Sequence, residues 1–524
     1  DMICTASILL SLLATSAACN NQPTQPTPMS RPRLVLLLVV DQLRGDEIAT
    51  YEPLWRDGMR RLVGEGRWYP QAFLDYARTE TAAGHATIAT GLPPRLHGVV
   101  DKRLFDAATA SPRSVCDFDL PATCGPGALA VPTLGDRLKA LRPDARVVAL
   151  ANKARSAALL GGRHADLVSW TDDERPALLG HYGAGALPTW MTLFYSQVAA
   201  PDRIAYLWER PPLPEAFASR VDDDPGEDGG VLGRTFPHRL PRGPARARYQ
   251  AWQTLPDSDR ALVELASYTA RRLDLGRDDV TDFLLVSFSS VDAIGHEFGP
   301  DSLERAASLA ALDRHVGELV TSLVEQSSGR LLVALTADHG MAPTITQARR
   351  DGHASDGVDT RVLATTVEDA LTRELGPGPH VAALLYPYLF LRPMAADVHA
   401  RAVALAVETL RRQHAVYGAW PTAQLEQATD PVAKLFWNGA YPSRSGDVAL
   451  ALEPYFSPVQ TGGNTLGANH GSPWPYDRHV PILLWGDGVE HAVIETPVTV
   501  EALVRTLALH LDVPPGPNDA APLP

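Results

Sequence analysis

The chain has 524 residues, 61 acidic against 47 basic side chains, a net charge of −14 and 45% hydrophobic residues. That length exceeds one simple core, so a large α/β domain with insertions is expected, at an apolar content ordinary for a globular protein. The acidic balance argues against binding nucleic acid as a polymer, which needs a basic footprint, but not against small anions, because Lys102, Arg103, Lys153, Arg155 and Arg163 can dominate a local crevice.

Ala6-Ser-Ile-Leu-Leu-Ser-Leu-Leu-Ala14 has the length of a signal-peptide core and is too short to cross a bilayer. Ser16-Ala-Ala-Cys19 and a polar, proline-rich stretch follow. Residues 1–19 are therefore expected to be an export signal that resembles a bacterial lipoprotein signal, with lipid on Cys19 and 20–33 as a flexible linker. Cleavage after Ala18, releasing a periplasmic or secreted protein, is the alternative. Both readings export the chain.

The apolar run Leu34-Val-Leu-Leu-Leu-Val-Val ends in Asp41 and suits a parallel strand buried on both faces. Further on, Arg78-Thr79-Glu80-Thr81-Ala-Ala-Gly84-His85 opens a segment of small helix-forming residues that Gly91-Leu-Pro93-Pro94 stops, so Thr81 is expected to cap a short helix, with Thr79 competing for that role. A helix amino terminus is a ready seat for phosphate, and a threonine hydroxyl there becomes a nucleophile when a base or metal removes its proton. Cys116 and Cys124 flank seven residues and read as a local disulfide in an oxidising compartment, or else as two free thiols.

A strand over 145–150 leads into Asn152-Lys153-Ala-Arg155. Residues 177–257 are rich in Pro, Arg, Trp and Asp and read as one insertion; helices over 257–273 and 302–327 have the apolar periodicity of sheet-covering elements. The run from Asp282 delivers Asp292-Ala-Ile-Gly-His296, and Leu331-Leu-Val-Ala-Leu delivers Asp338-His339-Gly340. Between 342 and 462, helices around 366–375 and 397–413 alternate with short strands such as 381–385, consistent with an inserted cap. His470 precedes Gly471-Ser, and residues 512–524 form a proline-rich tail.

Taken singly, Asp-x-x-x-His or Asp-His-Gly is an ordinary polar turn. Three carboxylates beyond strand ends together with three histidines are not: in a parallel sheet the loops at the carboxyl ends gather into one crevice. The mixed nitrogen and oxygen donors suit zinc better than calcium or magnesium.

The pieces Val40-Asp41-Gln-Leu-Arg44, Thr81-Ala-Ala-Gly-His85-Ala-Thr-Ile-Ala-Thr-Gly91, His97-Gly98, Asp292 to Gly299, Asp338-His339-Gly340 and Asn469-His470-Gly471 occur in one order along the chain. As a set they resemble the alkaline phosphatase superfamily in its type I phosphodiesterase/nucleotide pyrophosphatase branch, and within it the phosphate-irrepressible alkaline phosphatases. The resemblance implies a mostly parallel sheet sandwiched by helices, with a catalytic domain over 34–511. It also implies two Zn²⁺ ions, one on Asp292, His296 and His470, the other on Asp41, Asp338 and His339, with Thr81 chosen over Thr79 as a metal-facing nucleophile. Lys153-x-Arg155 resembles the motif by which the monoesterases hold phosphate, and a bidentate guanidinium with a point charge favours the more anionic ester. Lys102 stands where the family places a phosphate-binding asparagine, and we expect it to contact phosphate. His85, His97 and His479 fit the motifs as supporting residues, not ligands.

The expectation is an exported phosphomonoesterase acting on small phosphate esters. A phosphodiesterase or nucleotide pyrophosphatase on the same scaffold is the alternative, and a surface lipoprotein that binds metal or phosphate without catalysis is the reading from another class.

Overall fold

The computed structural model describes residues 31–524 apart from 107–108, 110, 119–123, 172–178, 183–185, 199–206, 243 and 460–464. The expected signal over 1–19, including Cys19, and the linker up to residue 30 lie outside the described residues.

The core is built on a nine-stranded sheet. In chain order its strands are β1 (Leu34–Val40), β2 (Arg67–Tyr69), β3 (Val147–Ala151), β4 (Leu167–Thr171), β5 (Leu179–Tyr182), β6 (Asp282–Phe288), β7 (Leu331–Thr336), β8 (Ile482–Gly486) and β9 (Ala492–Val493). Across the sheet they run β9-β2-β8-β7-β1-β6-β3-β4-β5. The central five, β7-β1-β6-β3-β4, are all parallel, while β8 and β5 join antiparallel on either side. Every residue of β1, β3, β6 and β7 is buried, which is why these strands are built around continuous apolar stretches.

Register decides where the chemistry lies. Val39 pairs with Ser287 and with Thr336, and Ser287 pairs with Ala151. The carboxyl ends of β1, β6, β7 and β3 are therefore level, and whatever follows each strand emerges along one edge.

Helices Pro256–Arg272 and Leu303–Gln326 pack against each other beside the sheet, each within one residue of its expected bounds. Proline occupies the first turn of one, where its missing N–H costs nothing, and the Ser302 side chain caps the other by accepting from the Arg305 N–H. Within 342–462, a four-stranded antiparallel sheet of Val381–Leu385, Tyr388–Leu391, Val448–Leu452 and Val416–Pro421 pairs in that order. Helices Thr360–Leu375 and Ala396–Arg411 cover it through a separate apolar cluster that includes Val367, Leu371, Ala406 and Leu410. The first of these starts earlier than expected because Asp359 caps it, accepting from the Arg361 N–H.

Met191, Tyr195, Tyr249 and Trp252, all within 177–257, are buried in the main core. The tail is tied down too: Arg137 pairs with Asp519 at 3.0 Å, and the Tyr69 hydroxyl donates to the Pro524 carbonyl. Cys116 and Cys124 are joined by a disulfide. Among the described residues no helix is long and apolar enough to cross a membrane.

Candidate metal centre

Asp41 follows β1 directly, Asp338 and His339 follow β7, and Lys153 follows β3. Asp292 and His296 lie on the helix Ser290–Phe298 after β6, not on a loop as the sequence suggested. Their spacing of four places both on one helical face. His470 arrives from a separate loop before the helix Pro475–Arg478. Among the described residues, two groups bring three donor atoms within 4.8 Å of one another: Asp292 with His296 and His470, and Asp41 with Asp338 and His339.

The imidazoles are wired alike. His296 Nδ1 lies 2.9 Å from the Ala468 carbonyl, His339 Nδ1 2.9 Å from that of Gly340, and His470 Nδ1 2.9 Å from that of Thr79. A carbonyl can only accept, so each Nδ1 carries a proton and each Nε2 is left to face the carboxylates. His296 Nε2 sits 3.2 Å and His470 Nε2 4.0 Å from Asp292 Oδ1; His339 Nε2 is 3.3 Å from Asp41 Oδ1 and 3.7 Å from Asp338 Oδ2.

Asp41 Oδ1 and Asp338 Oδ2 are fully buried and lack hydrogen-bond partners. His85 Nδ1 approaches Asp338 Oδ2 to 3.0 Å, but its proton is directed at the Thr81 carbonyl, 2.8 Å away. Buried carboxylate oxygens without donors are costly, and a cation shared with an imidazole nitrogen is the natural compensation. The residues thus fit a metal ion in each group.

The electrostatics match this crowding. Burial and the neighbouring Asp41 push the Asp338 carboxyl up. Burial and Asp292 push Asp41 up as well, but Lys153 and His339 outweigh them and hold it well below the usual carboxylate range. Burial lowers His339, yet Asp338 and Asp41 overcome it and raise the imidazole to about 9. His470 falls well below its ordinary value through burial and the charges of His339 and His296.

Thr81 is the first residue of the helix Thr81–Thr90, whose cap is Glu80, its side chain accepting from the Ala82 N–H. The expectation that Thr81 itself caps the helix is therefore corrected by one position. Its hydroxyl lies 3.4 Å from His339 Nε2 and 3.5 Å from Arg155 Nη2. The Thr79 hydroxyl instead donates to the Ser472 carbonyl at 3.0 Å. Gly84 allows this helix to press on the end of β7, since a Cβ there would sit 2.3 Å from the Asp338 carbonyl oxygen.

Of the five basic residues singled out in the sequence, two stand at the centre. Lys153 Nζ donates to Asp41 Oδ2 and Asp292 Oδ2, at 2.5 Å each, and so links one carboxylate of each group. Against burial, those two carboxylates hold its pKa well above the ordinary value. Arg155 faces Thr81. Lys102 is at the rim, half exposed, with Nζ 3.6 Å from Glu80 Oε1. Arg163 donates to the Leu129 carbonyl, and Arg103 lies exposed on an outer hairpin.

Sequence reasoning passed over Glu80, Gln42 and Arg305. Gln42 is fully buried at a left-handed φ of 71° and touches carboxylates of both groups. Nothing in composition or periodicity marks it; only its place beside Asp41 could have drawn attention.

A family model described as type I phosphodiesterase/nucleotide pyrophosphatase matches residues 35–473. The chain is 29% identical to alkaline phosphatase PhoK of a Sphingomonas species, over 92% of this chain and 89% of that one. It is 28% identical to alkaline phosphatase PhoD of Zymomonas mobilis, over 98% and 92%. Among solved structures it is similar to the crystal structure of alkaline phosphatase PafA, with a TM-score of 0.85 and 25% identity over 94% of this chain and 98% of that one. Murine ectonucleotide pyrophosphatase/phosphodiesterase 5 shares the fold at a TM-score of 0.55 and 13% identity, over 93% and 97%.

Proposed function

The chain belongs to the type I phosphodiesterase/nucleotide pyrophosphatase family, and from that membership we propose that it is an exported, zinc-dependent alkaline phosphatase that hydrolyses phosphate monoesters through a phosphothreonine at Thr81. The observation that carries this reading is the pair of carboxylate–imidazole groups linked through Lys153, with His339 Nε2 of one group 3.4 Å and the Arg155 guanidinium 3.5 Å from the Thr81 hydroxyl. Near-full-length relatives named as alkaline phosphatases support the monoester hydrolase class.

Asp292, His296 and His470 would hold one ion, and Asp41, Asp338 and His339 the other. Two zinc ions held there would supply Lewis acidity and lower the pKa of a hydroxyl or water. The chain's own residues do the rest. Thr81 Oγ1 attacks phosphorus, the Thr81 O–P bond forming as the bond to the leaving alcohol oxygen breaks. The threonine proton is lost and the alcohol gains one. Water then attacks the phosphothreonine from the opposite side, its oxygen bonding to phosphorus as the Thr81 O–P bond breaks, and a proton passes to the Thr81 oxygen as phosphate leaves. The amino-terminal end of the helix Thr81–Thr90, where Glu80 already takes the Ala82 N–H, presents its partial positive charge to the incoming anion, and Arg155 forks onto the non-bridging oxygens. Such a loose transition state gains most from positioning and charge.

Preference for a monoester follows from its second negative charge. Arg155 would bind the dianion directly, Lys153, held by Asp41 and Asp292, would add positive charge beside it, and Lys102 at the rim would add to the field. Lys102→Ala should lower monoester turnover and weaken inhibition by phosphate; if neither changes, Lys102 has no contact with phosphate. The catalytic domain would span 34–511 with insertions at 177–257 and 342–462. The Cys116–Cys124 disulfide supports export, with lipid on Cys19 or cleavage after Ala18 as the two routes.

Turnover of p-nitrophenyl phosphate and of its bis-p-nitrophenyl diester on one preparation tests the proposal. The monoester should be the better substrate by kcat/KM; a preference for the diester would assign the phosphodiesterase chemistry instead.

A further inference from the structure

Besides Lys153, among the described residues Gln42 touches a carboxylate of each group. Its side-chain Nε2 donates to Asp292 Oδ1 at 2.7 Å, and its backbone N–H donates to Asp338 Oδ1 at 3.1 Å. Both bonds require the backbone to turn sharply after Asp41, and Gln42 does so at a φ of 71°, an unusual conformation for a residue with a side chain. Such conformations persist only where the surroundings over-determine them.

Arg305 supplies that determination. It is fully buried on the helix Leu303–Gln326. Its Nη2 donates to the Gln42 carbonyl at 2.8 Å and its Nη1 to Gln42 Oε1 at 3.3 Å. Glu47 fixes the guanidinium in turn, accepting from Nε at 2.8 Å and Nη2 at 2.7 Å, while the Val291 carbonyl accepts from Nη1 at 2.7 Å. The contact to Oε1 matters most. It marks that atom as the amide oxygen, so the amide cannot flip and Nε2 must face Asp292.

Gly295 makes room for this arrangement. A Cβ at that position would lie 1.8 Å from Gln42 Oε1. The glycine between Asp292 and His296 is thus where the amide passes under the ligand-bearing helix. A carboxylate oxygen has two lone-pair directions, so Asp292 Oδ1 can take the amide proton on one and still present the other to a cation.

We infer that Gln42 is a positioning residue whose amide, locked by Arg305 and admitted by Gly295, holds Asp292 for the ion shared with His296 and His470, while its backbone N–H independently steadies Asp338 for the second ion. The inference rests on the two-ion reading above. It predicts an asymmetry. Removing the amide disturbs only the Asp292 group, because the backbone N–H to Asp338 survives a side-chain change.

The test is zinc binding to the metal-stripped full chain, read by competition with a chromophoric chelator, so that it does not depend on turnover. The wild type should take up two ions. Gln42→Met keeps the volume but lacks the donor, and should weaken one ion about 10–100-fold while leaving the other within about threefold, the range found when a ligand's supporting partner is lost. Gly295→Ala displaces the amide without altering residue 42 and should produce the same asymmetry if Gln42→Met does not fold. Native affinity for both ions in either folded variant overturns the inference, as does an equal loss of both with an unchanged circular dichroism spectrum. A wild-type chain that takes up no zinc overturns the two-ion reading and this inference with it, so the two failures are distinct.

Discussion

Gly84→Ala probes how tightly the nucleophile's helix is set against the metal-holding strand end. Gly84 lies one turn beyond Thr81, and an added Cβ would meet the Asp338 carbonyl oxygen at 2.3 Å and the Asp338 Cβ at 2.6 Å. Ordinary contact begins near 3.4 Å, so about 1.1 Å must be recovered (3.4 − 2.3), and neither partner is a flexible side-chain tip. Overpacking of this kind costs about 1–3 kcal/mol of stability. The functional cost is larger, because relief must come from moving Thr81 or Asp338, and a misplacement of about 1 Å reduces a positioned reaction by about 100-fold. Steady-state hydrolysis of p-nitrophenyl phosphate with zinc content measured alongside reads the effect. Gly64→Ala serves as control, since a Cβ there meets nothing within 4 Å and alanine favours a helix by roughly 0.5–1 kcal/mol. Gly84→Ala with native zinc content and kcat within about threefold of wild type would refute the reasoning, which requires the ångström-scale loss.

Other perturbations have equally definite outcomes. Thr81→Ala should lower monoester turnover by about four orders of magnitude or more, as removal of a nucleophile does, with little change in melting temperature; near-native activity would remove Thr81 from the mechanism. Arg155→Met should cost about 100–1000-fold in monoester kcat/KM and less on the diester, and an equal loss on both would deny it the role of reading the dianion. Chelation should abolish activity, and zinc, not magnesium, should restore it; activity that survives chelator treatment contradicts the metal reading. Glu501 tests the pH linkage away from the site: burial raises its pKa from 4.5 to about 7. The folded state then holds this proton more tightly than the unfolded chain, so its contribution to stability is complete below about 4.5 and is lost as pH rises through about 7. Between pH 5 and 8 the wild type should lose about 2–3 kcal/mol more than Glu501→Gln in urea unfolding, and parallel profiles would exclude the linkage.

The parallel core was legible because strands buried on both faces are dominated by apolar residues, as Leu34–Val40 and Leu331–Leu335 are. Their level carboxyl ends followed from topology, not from any local signal, and this level edge is what turns dispersed acids and histidines into two groups. Asp292 and His296 were read as a loop pair because Gly295 and the preceding serines weaken the helical pattern. The i,i+4 spacing held the answer. The one-residue error at Thr81 arose because glutamate is an uncommon cap, so Thr81 and Thr79 drew attention away from Glu80. Gln42, Arg305 and Glu47 were invisible for a deeper reason: Arg305 reaches Gln42 and Glu47 from a distant helix, and buried polar residues leave no periodicity. Within the basic cluster, Arg163 donates to the Leu129 carbonyl, and Lys153 is drawn to Asp41 and Asp292 by charges that only folding brings together.

The most direct measurement is to quench the zinc-loaded enzyme in acid during turnover of a phosphate-labelled monoester, digest it, and locate the label. Phosphate should be found on the hydroxyl of Thr81 and be absent from the Thr81→Ala protein. Full turnover with no label on the peptide carrying residues 79–91, or label on Thr79 instead, would contradict the central claim that the two carboxylate–imidazole groups serve the threonine at position 81.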